Sequence, residues 1–237
     1  MKTILIGAFR LLLVLATGAL LSACETSMPL SSKTKQLDLS EQSIGLLMLE
    51  QTREESRTMP WPRNLFVRNM ATGKSQMVAV DTTFIDYGEN GDHYVTPLRL
   101  ALAPGKYRLD ALHGTIQVFP LNGTFMVPLG LEFEVPAQSV FYMGRIHAHM
   151  RPRKGTEFRA GPPFPLIGQA ALNIVTSTFD VQVRDAAATD LPIFREALPV
   201  LQAGEIGLHV LPAFDRSKFD ALHAGVVDAK QGAAEAR

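Results

Sequence analysis

Two histidines one residue apart, His147 and His149, have the spacing best suited to chemistry in this 237-residue chain. On a β-strand, positions i and i+2 project from one face, so the pair could chelate a metal through its imidazole nitrogens. A stable zinc site needs further ligands, and His93, His113 or a nearby acid would have to supply them. The plainer reading makes the pair solvent-facing or edge-facing residues beside Arg145. Other catalytic patterns are missing. There is no Gly-x-Ser-x-Gly elbow for a serine nucleophile. There is no Gly-x-x-x-x-Gly-Lys or Gly-x-Gly-x-x-Gly loop for phosphate. The acid pairs Glu54-Glu55 and Glu132/Glu134 fall in loop-like or outward strand positions, where carboxylates are ordinarily solvated. The single tryptophan, Trp61, lies between Pro60 and Pro62; it either covers a core edge or offers an aromatic platform to a sugar or peptide. Trp61 and Arg145 are therefore the candidate ligand surface, and no catalytic residue is assigned.

The composition narrows the classes further. Basic and acidic residues number 23 each, so no strong polyanion partner or basic membrane-binding surface is implied. The one compact basic group, Arg145, Arg151, Arg153 and Lys154, is too small for a nucleic-acid footprint and reads as a solvated strand end. Hydrophobic residues make up 46%, enough for a packed core. With one cysteine, Cys24, no disulfide can close within the chain.

Period-two patterning supplies the elements that must carry these residues. Ser43 to Glu50 is almost continuously apolar, which suits a central strand. Asn64–Met70 and Ser75–Asp81 flank Ala71-Thr72-Gly73-Lys74, a hairpin signal. Leu98, Leu100 and Leu102 alternate with Arg99 and Ala101, Pro104-Gly105 turns the chain, and Tyr107, Leu109 and Ala111 alternate in turn. That pattern predicts an antiparallel hairpin with one buried face. Phe125 to Val135 is the longest strict alternation, and Pro136-Ala137-Gln138-Ser139 turns it into Val140–Met150. Strict alternation there puts Val140, Tyr142, Ile146, Ala148 and Met150 on one face, and Phe141, Met143, Arg145, His147 and His149 on the other. Ala170–Arg184 returns to strand, with Phe179, Val181 and Val183 inward. Thr189 or Asp190 can cap a short helix near 190–199, with Pro192 in its first turn. Acidic residues around Gly88-Asn90-Gly91 do not fall at the alternate positions of a calcium loop.

Several of these stretches resemble known families. Lys2, the apolar run from Leu11 to Leu21, and Leu21-Ser22-Ala23-Cys24 resemble a bacterial lipoprotein signal peptide ending in a lipobox. The resemblance covers Met1 to about Cys24. A run of eleven residues is short of the ~20 a membrane-spanning helix needs and fits a secretory leader. The competing reading is an uncleaved anchor with an incidental cysteine. The resemblance implies cleavage between Ala23 and Cys24 and a diacylglycerol on the Cys24 sulfur, with acylation such as palmitate on the new amine. That covalent lipid is the only cofactor implied, and two or three chains hold firmly where one does not. Glu25, in place of aspartate, implies outer-membrane sorting on the periplasmic side of a double-membrane cell envelope. Leu102-x-Pro104-Gly105-x-Tyr107-x-Leu109 resembles hairpins of immunoglobulin-like and transthyretin-like β-sandwiches. Leu98 to about Ile146 resembles a domain of unknown function in small bacterial lipoproteins. A cupin metal motif resembles the histidine pair only loosely: Gly144 is three positions before His147 and Glu157 is eight beyond His149, and both spacings are wrong.

The expected organisation is a signal peptide over 1–23, a flexible lipidated tether over 24–37, one mainly β, antiparallel sandwich over 38–211 with a short helix, and a flexible tail over 212–237. The expected role is an exported, membrane-anchored structural or binding module. Its partners would be the membrane, through the lipid, and another envelope protein or a glycan, with no nucleic acid. The alternative is a metal-dependent or hydrolytic enzyme using His147 and His149.

Overall fold

The computed structural model describes residues 25–54, 61–88, 93–118, 121–161 and 177–220. Residues 1–24, expected as a signal peptide and its cysteine, residues 170–176 of the predicted 170–184 strand, and residues 221–237 lie outside them. Within the described residues the strands are β1 (Glu25–Thr26), β2 (Ser43–Arg53), β3 (Trp61–Asn69), β4 (Ser75–Ala79), β5 (His93–Leu102), β6 (Gly105–Val118), β7 (Leu121–Val135), β8 (Val140–Pro152), β9 (Ser177–Arg184) and β10 (Gly207–Leu208). They form two sheets. The first runs β1-β4-β3-β6-β7; the second runs β10-β8-β2-β5, with β9 also paired to β8.

The protein is mainly β, and its two sheets share one core. Leu65, Val67, Leu109, Val127 and Leu131 of the first sheet pack with Leu47, Leu49, Leu98, Leu100 and Phe179 of the second. Strand β2 is apolar on both faces because both are covered. Its other face, Ile44, Leu46 and Met48, packs with Val140, Tyr142, Phe194, Leu198 and Leu201 in a second cluster. Phe194 belongs to helix α1 (Ala187–Ala197), which lies over this outer face of the second sheet. No helix among the described residues is long and apolar enough to cross a membrane.

The predicted Pro104-Gly105 hairpin is not a hairpin, and the turn at 136–139 does not make one either. The Pro104-Gly105 turn does not fold β6 back onto β5: β5 pairs with β2 in the second sheet, whereas β6 pairs with β3 and β7 in the first. Residues 136–139 likewise carry the chain from β7 in the first sheet to β8 in the second, with Gln138 at φ 49°. Alternation identifies a strand with one buried face; it does not say whether the next strand lies beside it or opposite it. Both turns are arches over the shared core. The β3–β4 hairpin does form, pairing Asn64 with Ala79 and Arg68 with Ser75. The long hairpin is β6–β7, in register from Gly105 against Val135 to Val118 against Leu121.

The purely antiparallel expectation also needs correction. Strands β2 and β8 are parallel neighbours, as are β10 and β8, and β1 and β4. A strand that enters its sheet by an arch from the other sheet is free to run either way.

Both ends of the body are tied down more than a tether and a loose tail would be. Met28 packs on the inter-sheet core, and Leu30, Leu37 and Leu39 pack on the second cluster. Buried Arg99 donates from Nε to the Pro29 carbonyl at 3.0 Å. Beyond Pro212, Phe214 and Phe219 lie against the core, and Arg216 donates to the Phe179 carbonyl on the edge of β9.

Candidate functional site

The strand that carries both histidines has one residue too many, and that residue sets up the site. Leu46 of β2 pairs with Tyr142 and Met48 with Arg145, so β8 advances three positions while β2 advances two. The extra residue centres on Gly144, whose φ of +98° suits glycine. A Cβ there would meet Val210 Cγ1 at 3.0 Å and the Arg184 carbonyl at 3.1 Å. The bulge exchanges the faces. Phe141 and Met143 point into the inter-sheet core with Ile146, Ala148 and Met150, whereas Tyr142 lies in the outer cluster under α1. Strict alternation had placed Tyr142 with Ile146; the glycine in mid-strand was the available signal of a bulge.

The outer face of the second sheet then brings Tyr142, Arg145, His147 and His149 alongside Glu50 and Thr52 of β2 and Asp180, Gln182 and Arg184 of β9. Asp190 of α1, wholly buried, anchors the helix to this row. Tyr142 donates to Asp190 Oδ2 at 2.6 Å, and Arg145 donates from Nε to Oδ1 at 3.1 Å, with a second contact through Nη2. Arg145 also donates from Nη1 to Glu50 Oε2 at 3.1 Å, and Arg184 Nη2 reaches the same oxygen at 2.6 Å. Asp190 is thus an anchor inside the helix, not its cap. Helix α1 starts at Ala187, where Asp185 Oδ1 accepts the backbone N–H at 3.0 Å, and Pro192 falls past the first turn.

The histidine pair converges on one hydroxyl. Thr52 Oγ1 lies 2.7 Å from His147 Nε2 and 2.8 Å from His149 Nδ1. A threonine hydroxyl has one proton to donate and two lone pairs, so at most one ring accepts from it and at least one donates an N–H to the oxygen. Burial lowers the His147 pKa; Glu50 opposes the shift, while Arg184, His149 and Arg145 add to it. His147 is therefore held toward its neutral form. No three His, Cys, Asp or Glu side chains converge as metal ligands among the described residues. Burial pushes the Tyr142 phenol up, reinforced by its bond to Asp190. The Arg145 guanidinium is raised first by its bond to Asp190.

The basic group read from the sequence is largely paired. Arg151 bonds Glu157 Oε1 and Oε2, each at 2.8 Å, and Asp180 Oδ2 at 2.6 Å. Those Arg151 bonds, with the Lys154 backbone N–H, hold the Glu157 carboxyl down at about 2. On the first sheet's outer face, a groove of about 300 Å³ is lined by Phe66, Arg68, Arg108, His113 and Met126 among others. Asp110 there pairs with both arginines, at 2.9 and 2.5 Å.

Trp61 is nowhere in this arrangement. It opens β3 in the other sheet, with its ring 5.7 Å from both Tyr87 and Tyr94, which are 5.3 Å from each other. Trp61 and Arg145, paired as one candidate surface from the sequence, belong to separate places. Tyr87, Tyr94, Glu50, Thr52 and Asp190 were not singled out as site residues, because what joins them is sheet register and arches, not sequence spacing.

No protein-family model matches the chain, and no curated protein does. Among solved structures, a leucine-rich repeat protein from Bacteroides thetaiotaomicron is similar at a TM-score of 0.30 and 12% identity. The match covers 46% of this chain and 14% of that one. A likeness of that size carries no argument about fold or function.

Proposed function

We propose that this chain is an exported lipoprotein, anchored through Cys24 in the cell envelope and facing the periplasm from the outer membrane. Its two-sheet body is a β-sandwich of the immunoglobulin-like or transthyretin-like type, and it binds rather than catalyses. The observation that carries the anchoring is Leu21-Ser22-Ala23-Cys24 at the end of a short apolar run. The non-catalytic reading is supported by where the reactive groups are used. Both histidines bond Thr52, and Arg145, Tyr142 and Asp190 bond one another and hold α1 on the sheet.

The test compares the full chain with Cys24→Ser in a double-membrane bacterium grown with labelled palmitate. The wild type takes up label and fractionates with the outer membrane. The variant is unlabelled and appears as precursor or as released protein. A Cys24→Ser chain that is trimmed and still membrane-held refutes the anchoring. Stoichiometric zinc in the purified protein, lost in His147→Ala/His149→Ala, refutes the non-enzymatic reading.

A further inference from the structure

One end of the gap between the sheets is polar where the rest is apolar. Leu47 and Leu49 of β2 face the inter-sheet core, and Gln51 and Arg53 continue that face at period two. Leu98, Leu100 and Leu102 of β5 do the same, and Thr96 and Tyr94 continue theirs. Gln51 is the register partner of Tyr94, and Leu49 of Thr96. Across the gap, Trp61 of the first sheet touches the Tyr94 ring. These residues therefore meet at one end of the body.

Several of their polar atoms lack partners among the described residues. Gln51 and Thr96 are wholly buried, yet both amide atoms of Gln51 and Thr96 Oγ1 have no hydrogen bond among the described residues. Arg53 Nη1 and Trp61 Nε1 are buried and likewise without a partner among the described residues. Leaving a buried polar group unpaired is costly, so several at one place indicate a retained purpose. Burial raises the Tyr94 phenol, Tyr87 adds to the rise and Arg53 opposes it. The cluster opens to solvent at Tyr87, 43% exposed.

We infer that this end of the body is a saccharide-binding site: a sugar ring lies on the Trp61–Tyr87–Tyr94 cluster while its oxygens complete the hydrogen bonds of Arg53, Gln51 and Thr96. The inference rests on the binding-module reading above and names its ligand class. The unpartnered atoms are mostly donors: Arg53 Nη1, Trp61 Nε1 and the Gln51 amide nitrogen. Thr96 can donate or accept, and Gln51 Oε1 only accepts. The complement is an oxygen-rich ligand with an apolar face and a few hydroxyl or acetamido protons. Pockets that combine an aromatic wall with a few placed polar groups are the ordinary form of a small-ligand site.

Trp61 is the only tryptophan, so tryptophan emission, excited selectively over tyrosine, reports on this site alone. The experiment titrates detergent-solubilised full-length protein with maltotriose, cellotriose and N,N′,N″-triacetylchitotriose. At least one gives a saturable emission change with half-saturation below about 1 mM. Gln51→Leu and Thr96→Val weaken that response at least tenfold, while their urea midpoints stay level or rise because an unpaired buried group is gone. No saturable change with any of the three sugars overturns the inference, as does a response undiminished in both folded variants. Either failure leaves palmitate labelling at Cys24 untouched, so it is separable from failure of the anchoring proposal.

Discussion

Replacing Asp190 with alanine should destabilise the protein more than any other single change on the outer face of the second sheet. Asp190 is wholly buried, and the Arg145 side chain beside it is only 13% exposed. Alanine leaves that guanidinium without its main counter-charge and the Tyr142 hydroxyl without its acceptor. Breaking a buried ion pair from one side costs about 3–5 kcal/mol. Glu50, 3.1 Å from Arg145 Nη1, still holds part of the charge and argues for the lower end, about 3 kcal/mol. For a body of this size, 1 kcal/mol is roughly 2–4 °C in Tm, so a fall of about 6–12 °C is expected. Urea and thermal unfolding followed by circular dichroism measure it. The control is Asp190→Leu/Arg145→Met/Tyr142→Phe, which removes the whole network. Apolar replacement of a buried ionic group is often neutral or stabilising, so the triple variant should recover most of the loss. If Asp190→Ala costs under about 1 kcal/mol, well below the range for a buried pair, the network is not what fixes α1.

Two further outcomes follow from the same face and from the first sheet. Because burial holds His147 below its usual pKa, the unfolded chain binds the extra proton, so stability should fall as pH drops below about 6.5. His147→Gln should flatten that limb of a Tm-against-pH curve between about pH 7 and 5, leaving the contribution of His113, which burial also lowers; an unchanged slope would count against a neutral His147. Gly114→Ala should cost about 1–3 kcal/mol, since a Cβ there would overlap the Phe125 ring and the Trp61 carbonyl; Trp61 emission should shift with it, and an unperturbed spectrum would contradict the close approach.

How far the sequence carried the fold differs from residue to residue. The continuous apolar run at Ile44–Leu49 marked a central strand, and β2 does lie between β5 and β8 with both faces covered. Phe179, Val181 and Val183 alternate inward as their pattern indicates. Pairing was less legible. Pro104-Gly105 and residues 136–139 look like hairpin turns because an arch and a hairpin need the same chain reversal. The site was legible only in fragments. His147 and His149 share a face, yet their partner Thr52 is 95 and 97 residues away in sequence. Asp190 resembles a cap when its helix is read alone; only the buried Tyr142 and Arg145 beneath it show it as an anchor.

The parallel pairing of β2 with β8 has a consequence for how the molecule assembles. Few of its sheet contacts are local: β3 with β4 and β6 with β7 can zip early, but the middle of the second sheet joins segments nearly a hundred positions apart. Such high contact order slows folding, because loop closure must come before the contacts that reward it. Strand β2, the most apolar stretch of the body, emerges early in synthesis and has no mate on one edge until residues 140–152 arrive. Through that interval its bare edge is open to pairing with other chains, so guarding it falls to whatever attends the nascent polypeptide.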